Sequence, residues 1–200
     1  TSGDTGSAAI EAVRDRESIT AFILHPKGRV TDVQRRQMTT VPSPNVHNIA
    51  IEGTFDDCQA LVKRMFGDAA FRDRMRLTAV NSINWARVMA QTVYYFTAVR
   101  ALGCQASFSV PTGNFGNVLA GWIARQMGAD VHRLIVGSNS NDILTRFFES
   151  KEMSMRPVTP TLSPSMDIQV SSNFERLLFE MNHRDGAATK EQLLGFRSAG

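Results

Sequence analysis

The chain has 200 residues, of which 42% are hydrophobic, with 22 Lys+Arg against 19 Asp+Glu and a formal net charge of +3. That hydrophobic share excludes a wholly disordered chain and suits one domain, or one domain and part of another. The basic residues alternate with acids, as in Arg14-Asp15-Arg16-Glu17 and Arg72-Asp73-Arg74, which reads as solvated helix faces rather than a nucleic-acid footprint.

Residues 1–7 read T-S-G-D-T-G-S, a Gly-rich turn that runs into a predicted helix over 8–16. The apolar run 19–25 predicts a buried strand, ended by Pro26-Lys27-Gly28. A helix over 31–39 and a strand over 46–51 follow. Thr54-x-x-Asp57 resembles a capping box for a helix over 54–66. A short helix over 69–75 and a short strand over 77–80 are expected next. The strongest signal is the helix over 84–102. There Trp85, Val88, Met89, Thr92, Tyr95, Phe96, Val99 and Leu102 recur at helical spacing, and Gly103 stands where a terminating glycine belongs. A strand over 105–110, a helix over 118–127, a strand over 131–136 and a helix over 141–149 complete the alternation. Alternating strands and helices predict an α/β fold with a parallel sheet flanked by helices. Composition changes after Ser150: Pro157, Pro160 and Pro164 make 151–170 a loop or crossover. Ser172-x-x-Glu175 and Thr189-x-x-Gln192 then look like capping boxes for two helices. The chain thus divides into an α/β region, 1–150, and a loop-rich region with helices, 151–200.

Several function classes fall away. No apolar run reaches the roughly 18 residues of a membrane span. His25, His47, His132 and His183 have no metal-ligand spacing with each other or with Cys58 and Cys104. The two cysteines form no C-x-x-C pair and are expected to be reduced thiols of a cytoplasmic protein. The chain opens inside a motif that needs a preceding strand, so a chain lacking its natural N-terminus is expected.

Two segments suit an anion. In Gly113-Asn114-Phe115-Gly116-Asn117 a strand, a turn and a helix follow one another. A helix start offers unpaired N–H groups and a positive dipole end, and glycine lets backbone close on a phosphate. No G-K-[S/T] follows, so it is not a P-loop, and the glycine spacing does not match the dinucleotide fingerprint. An ordinary tight strand-to-helix turn is the competing reading. The second segment is Asn81-Ser82-Ile83-Asn84 with Arg87 one turn into the next helix. Plain helix capping by Ser82 or Asn84 competes there with an oxyanion site shared by Asn81, Ser82 and Arg87.

T-S-G-D-T-G-S-A-A (1–9), H-P-K-G-R-V (25–30), N-S-I-N-W-A-R (81–87), P-T-G-N-F-G-N (111–117) and M-D-I-Q-V-S-S-N-F-E-R (166–176) together resemble the threonine synthases of the longer microbial and fungal type. The resemblance covers nearly the whole chain in the expected order. It implies a pyridoxal 5′-phosphate (PLP) enzyme of the tryptophan-synthase-β-like fold (fold type II), incomplete here, with residues 1–150 contributing parts of both lobes. The implied reaction converts O-phospho-L-homoserine and water to L-threonine and phosphate. The resemblance also assigns residues. Gly113, Asn114, Phe115, Gly116 and Asn117 hold the cofactor phosphate, and Asp4 lies beside the pyridine ring. Ser2 and Thr5 meet the substrate, and Thr5, Asn81, Ser82 and Arg87 bind its phosphate. The family's Schiff-base lysine precedes the T-S-G-D-T-G motif, and none of Lys27, Lys63, Lys151 and Lys190 matches it; no catalytic residue is therefore expected in this chain. Two alternatives stay open: another PLP enzyme of this fold, such as a serine or threonine dehydratase, and a catalytically inactive synthase-like binding protein. A general phosphate- or nucleotide-binding domain would need a base-recognition pocket to which no segment points.

Overall fold

The computed structural model describes residues 1, 3–151 and 153–199, with side chains through 196. The chain forms two compact units, Thr1–Asn81 and Ser82–Gly200. Residues 151–200, set apart by composition, fold within the second of these.

The first unit contains helix α1 (Asp4–Val13), strand β1 (Ala21–Pro26), α2 (Asp32–Thr39), β2 (Val46–Ile51), α3 (Phe55–Gly67) and α4 (Ala69–Met75). β1 and β2 pair in parallel, from Ala21 opposite Val46 to Pro26 opposite Ile51. Ala9, Ile10, Ile23 and Met38 form the core, with Val30, Val41 and Val46 packed on it. Local caps set the helix starts. Thr31 accepts from Gln34 N, and the Thr54/Asp57 capping box forms as predicted. The connection into β1 is pinned by one amide: Asn45 Nδ2 donates to the carbonyls of Val13, Arg16 and Ile19.

The first turn differs from the expected one. α1 begins at Asp4, not residue 8, so Asp4, Thr5, Gly6 and Ser7 are helical. Thr1 makes this possible, since its hydroxyl accepts from the N–H groups of Gly3 and Gly6. Gly6 serves close packing: a Cβ there would lie 2.5 Å from Met38 Sδ. The strand expected over 77–80 does not form.

The second unit contains α5 (Trp85–Leu102), β3 (Ala106–Pro111), α6 (Gly116–Gln126), β4 (Val131–Gly137), α7 (Ile143–Ser150), a 3-10 turn (Pro164–Met166), α8 (Phe174–Met181) and α9 (Gly186–Ala199). β3 and β4 are parallel, with a register shift between Ala106 and Phe108. The parallel pairing expected from the sequence is thus present as two separate two-stranded sheets. α5 ends where predicted, with Gly103 left-handed at φ 66°. Its Val88, Thr92 and Tyr95 are buried, whereas Trp85, Met89 and Leu102 of the same predicted face are exposed. α5 and α6 close on each other at Gly121, where a Cβ would lie 2.6 Å from Tyr95 Cζ. The core joins Val88, Tyr95, Val110, Leu119, Val131, Leu144 and Phe174.

Two predicted capping boxes are not used. α8 starts after Asn173, which makes no side-chain cap bond. Thr189 lies inside α9. Its Oγ1 donates to the Asp185 carbonyl, and Asp185 Oδ1 accepts from Ala187 and Ala188 N–H. Among the described residues no helix is long and apolar enough to cross a membrane, and no cluster of His, Cys, Asp and Glu could hold a metal.

Candidate functional site

The site of the second unit sits at the C-terminal end of β3. Thr112 continues the strand's pairing, its N–H donating to the Gly137 carbonyl. Its hydroxyl then accepts from Phe115 N at 3.0 Å, which closes the Gly113–Asn117 turn. Phe115 is left-handed at φ 60° and only 2% exposed. Its ring meets Phe174 edge-on, with centroids 5.3 Å apart. A strained backbone is thus anchored by a buried ring. The first intrahelical bond of α6 runs from Leu119 N to the Phe115 carbonyl. The N–H groups of Gly116, Asn117 and Val118 precede it and have no acceptor one turn back in the helix.

The loop's side chains are committed to the protein. Asn114 Nδ2 donates to Ser82 Oγ, and Asn114 Oδ1 accepts from Ser172 N at 2.8 Å. Asn117 Oδ1 accepts from Tyr95 Oη at 2.6 Å, and its Nδ2 donates to Gln91 Oε1 at 3.4 Å. Burial pushes the Tyr95 phenol up to about 12, so it remains a proton donor through neutral pH. Ser82, two residues before the Asn84 cap, is thereby drawn to the loop. Asn84 does the capping, accepting from Ala86 N. The Asn114 bond uses an acceptor site of the Ser82 hydroxyl and leaves its proton to donate. Arg87 lies half-buried in the first turn of α5.

Two residues with no predicted site role organise this region. Asn173 is fully buried, and its Nδ2 donates to the carbonyls of Ser82 at 2.9 Å and Asn114 at 3.0 Å. Arg176 donates to Asn173 Oδ1 and, at 2.7 Å, to the Ile83 carbonyl, and stacks over the Trp85 ring. Both belong to the S-S-N-F-E-R run, in which the sequence suggests only the Ser172-x-x-Glu175 capping box. An Asn and an Arg three residues apart at a helix start carry no local signal of their distant partners.

The remaining predicted residues lie in the first unit. Asp4 and Thr5 form the first turn of α1, where Asp4 Oδ1 accepts from Gln34 Nε2. Asn81 ends that unit. Ser2 is outside the described residues.

No protein-family model matches the chain. Curated proteins do. The threonine synthase of Pseudomonas aeruginosa is 57% identical over 203 residues, covering 100% of this chain and 43% of that protein. The threonine synthase of Saccharomyces cerevisiae is 50% identical, covering 90% of this chain and 36% of that protein. A PLP-bound threonine synthase from Brucella melitensis superposes with a TM-score of 0.87 at 56% identity, covering 100% of this chain and 44% of that one. Maize serine racemase, at 14% identity and a TM-score of 0.65 over 86% of this chain, shares the fold alone. The chain spans about two fifths of the length of the curated relatives it matches. The expected fold, that of the fold type II PLP enzymes, is therefore present. By sequence and by structure the chain belongs to the threonine synthase family.

Proposed function

We propose that this chain supplies the phosphate-holding parts of a PLP-dependent threonine synthase, which converts O-phospho-L-homoserine and water to L-threonine and phosphate in the cytoplasm. The observation that carries the reading is the 57% identity to a threonine synthase across the whole chain.

The residues present fit the cofactor's phosphate. The amides of Asn114 and Asn117 are engaged in holding the loop, so the N–H groups at the start of α6, which have no intrahelical acceptor, are what a phosphate would meet. The fold itself makes little demand for glycine at 116. A Cβ there would meet Asn173 Nδ2 at 3.4 Å and the Ser82 carbonyl at 3.7 Å, which is ordinary contact. A phosphate closing on that backbone does demand it. Ser171, next to the Ser172 N–H that bonds Asn114, has a buried hydroxyl with no partner among the described residues. When bound, PLP supplies the electron sink that lets protons leave the carbons beside the amino group.

In this reading Gly113, Asn114, Phe115, Gly116 and Asn117 form the cofactor cradle, and Asp4 approaches the ring. Ser82 and Arg87 hold the substrate's phosphate, and the family resemblance assigns Thr5, Asn81 and Ser2 to the same substrate. Ser82 donates its proton to an oxyanion while Asn114 fixes its oxygen. Arg87 stabilises charge on the departing phosphate. These residues favour a synthase over a dehydratase, whose substrates carry no phosphate.

Arg87→Ala in the full-length enzyme tests this. Loss of a charge-assisted contact costs roughly 1.5–3 kcal/mol, so kcat/KM for the phosphorylated substrate should fall about 10- to 150-fold. PLP affinity should be unchanged. Normal kinetics in the variant would remove Arg87 from the substrate site.

A further inference from the structure

Asp167 stands in the long segment between α7 and α8. Its carboxylate is the meeting point of that segment with the end of β4. Oδ1 accepts from Asn139 Nδ2 at 2.8 Å, from Asn141 Nδ2 at 3.0 Å and from Thr161 Oγ1 at 2.7 Å. Oδ2 accepts from Thr161 N at 2.8 Å. Asn141 is held in turn, exchanging bonds with the Thr159 backbone at 2.8 and 2.9 Å. Asn139 and Asn141 follow β4 directly, so Asp167 is tied to the C-terminal end of that strand.

The residues on either side of Asp167 back the phosphate loop. A Cβ built on Gly113 would lie 3.1 Å from Met166 Cα and 3.1 Å from Ile168 Cγ1. Gly113 therefore rests against the 166–168 segment with no space between. Asn114, the next residue of the loop, is fastened separately to Ser172 and Asn173.

We infer that Asp167 is a positioning residue for phosphate binding: by gathering Asn139, Asn141 and Thr161 it seats Met166 and Ile168 against Gly113 and so sets the loop's shape. The inference rests on the proposed role of the loop as the cofactor-phosphate cradle. Asp167 acts through Met166 and Ile168 on the loop. Charge alone is not its contribution, because all four of its partners are neutral donors. Asparagine has the same shape, but one of its oxygens becomes an NH2. That group must face either the Thr161 N–H or the donors of Asn139 and Asn141. Donor then meets donor, and the segment shifts from Gly113.

The test measures the affinities of PLP and of pyridoxal, which lacks the phosphate, for the full-length apoenzyme by equilibrium dialysis. Wild type, Asp167→Asn and the milder Thr161→Val are compared, with the unfolding midpoint of each. In Asp167→Asn the affinity for PLP should fall about tenfold, roughly the worth of one misplaced hydrogen bond. The affinity for pyridoxal should stay within about twofold, less than half of that bond's worth. Thr161→Val should move PLP in the same direction by less, and it serves if the first variant does not fold. An equal loss for both compounds, or a lowered midpoint with an unchanged PLP-to-pyridoxal ratio, would overturn the positioning role. A wild-type enzyme that binds the two compounds equally would instead defeat the cradle reading itself.

Discussion

Phe174→Ala in the full-length enzyme is expected to destabilise it by about 3–5 kcal/mol, the range for truncating a buried aromatic. Phe174 is 2% exposed. It meets Phe147 at 4.8 Å, Phe115 at 5.3 Å and Phe148 at 6.0 Å between centroids, all edge-on. Its removal takes away transfer energy, leaves a cavity and loses several ring contacts together. Because Phe115 is the left-handed residue of the loop, the cavity opens directly behind the site. Phe174→Leu keeps most of the volume and should lose less than half as much. The urea unfolding midpoint of the two variants checks this. A drop in Phe174→Ala no larger than in Phe174→Leu would show that the pocket repacks and that the ring has no special place there.

Asn173→Asp should be nearly as damaging, although it changes no volume. The native amide donates to the Ser82 and Asn114 carbonyls and accepts from Arg176. A carboxylate keeps the Arg176 bond and loses both donors. Two carbonyls and a buried charge then crowd one another. Leaving buried polar groups unsatisfied costs about 1–3 kcal/mol each, so a loss of roughly 2–4 kcal/mol is expected. Asn173→Ala should fall in the same range. The clearest readout is the unfolding midpoint together with protease sensitivity at 82–84 and 113–117, the two segments the amide joins. An Asn173→Asp enzyme as stable and as protease-resistant as wild type would contradict the role given to that amide.

What the sequence made legible was what neighbouring residues decide. α5 runs from its Asn84 cap to the left-handed Gly103 because both signals lie within one turn of the helix ends. The Thr54/Asp57 box formed for the same reason. T-S-G-D-T-G-S misled because its glycines resemble a turn. Gly6 is small to admit Met38, from another helix, and that packing leaves no mark in the local pattern. Thr189 was misread as a cap because Asp185, four residues earlier, competes for the same helix start and wins. Asn173 and Asp167 carry no local signal of the role they take in the fold. The Asn173 amide bonds carbonyls 59 and 91 residues away, and no periodicity reports such a bond. Ser82 and Asn114 were both proposed as anion ligands, and their direct hydrogen bond joins the two candidate segments into one.

A crystal structure of the full-length enzyme with PLP tests the central claim most directly. The account predicts the cofactor's phosphate at the start of α6. Its oxygens should lie within about 2.7–3.2 Å of the backbone nitrogens of Gly116 and Asn117, with Asn114 still bonded to Ser82 and Asn117 to Tyr95. A phosphate bound elsewhere, with the Gly116 and Asn117 N–H groups facing water, would contradict it.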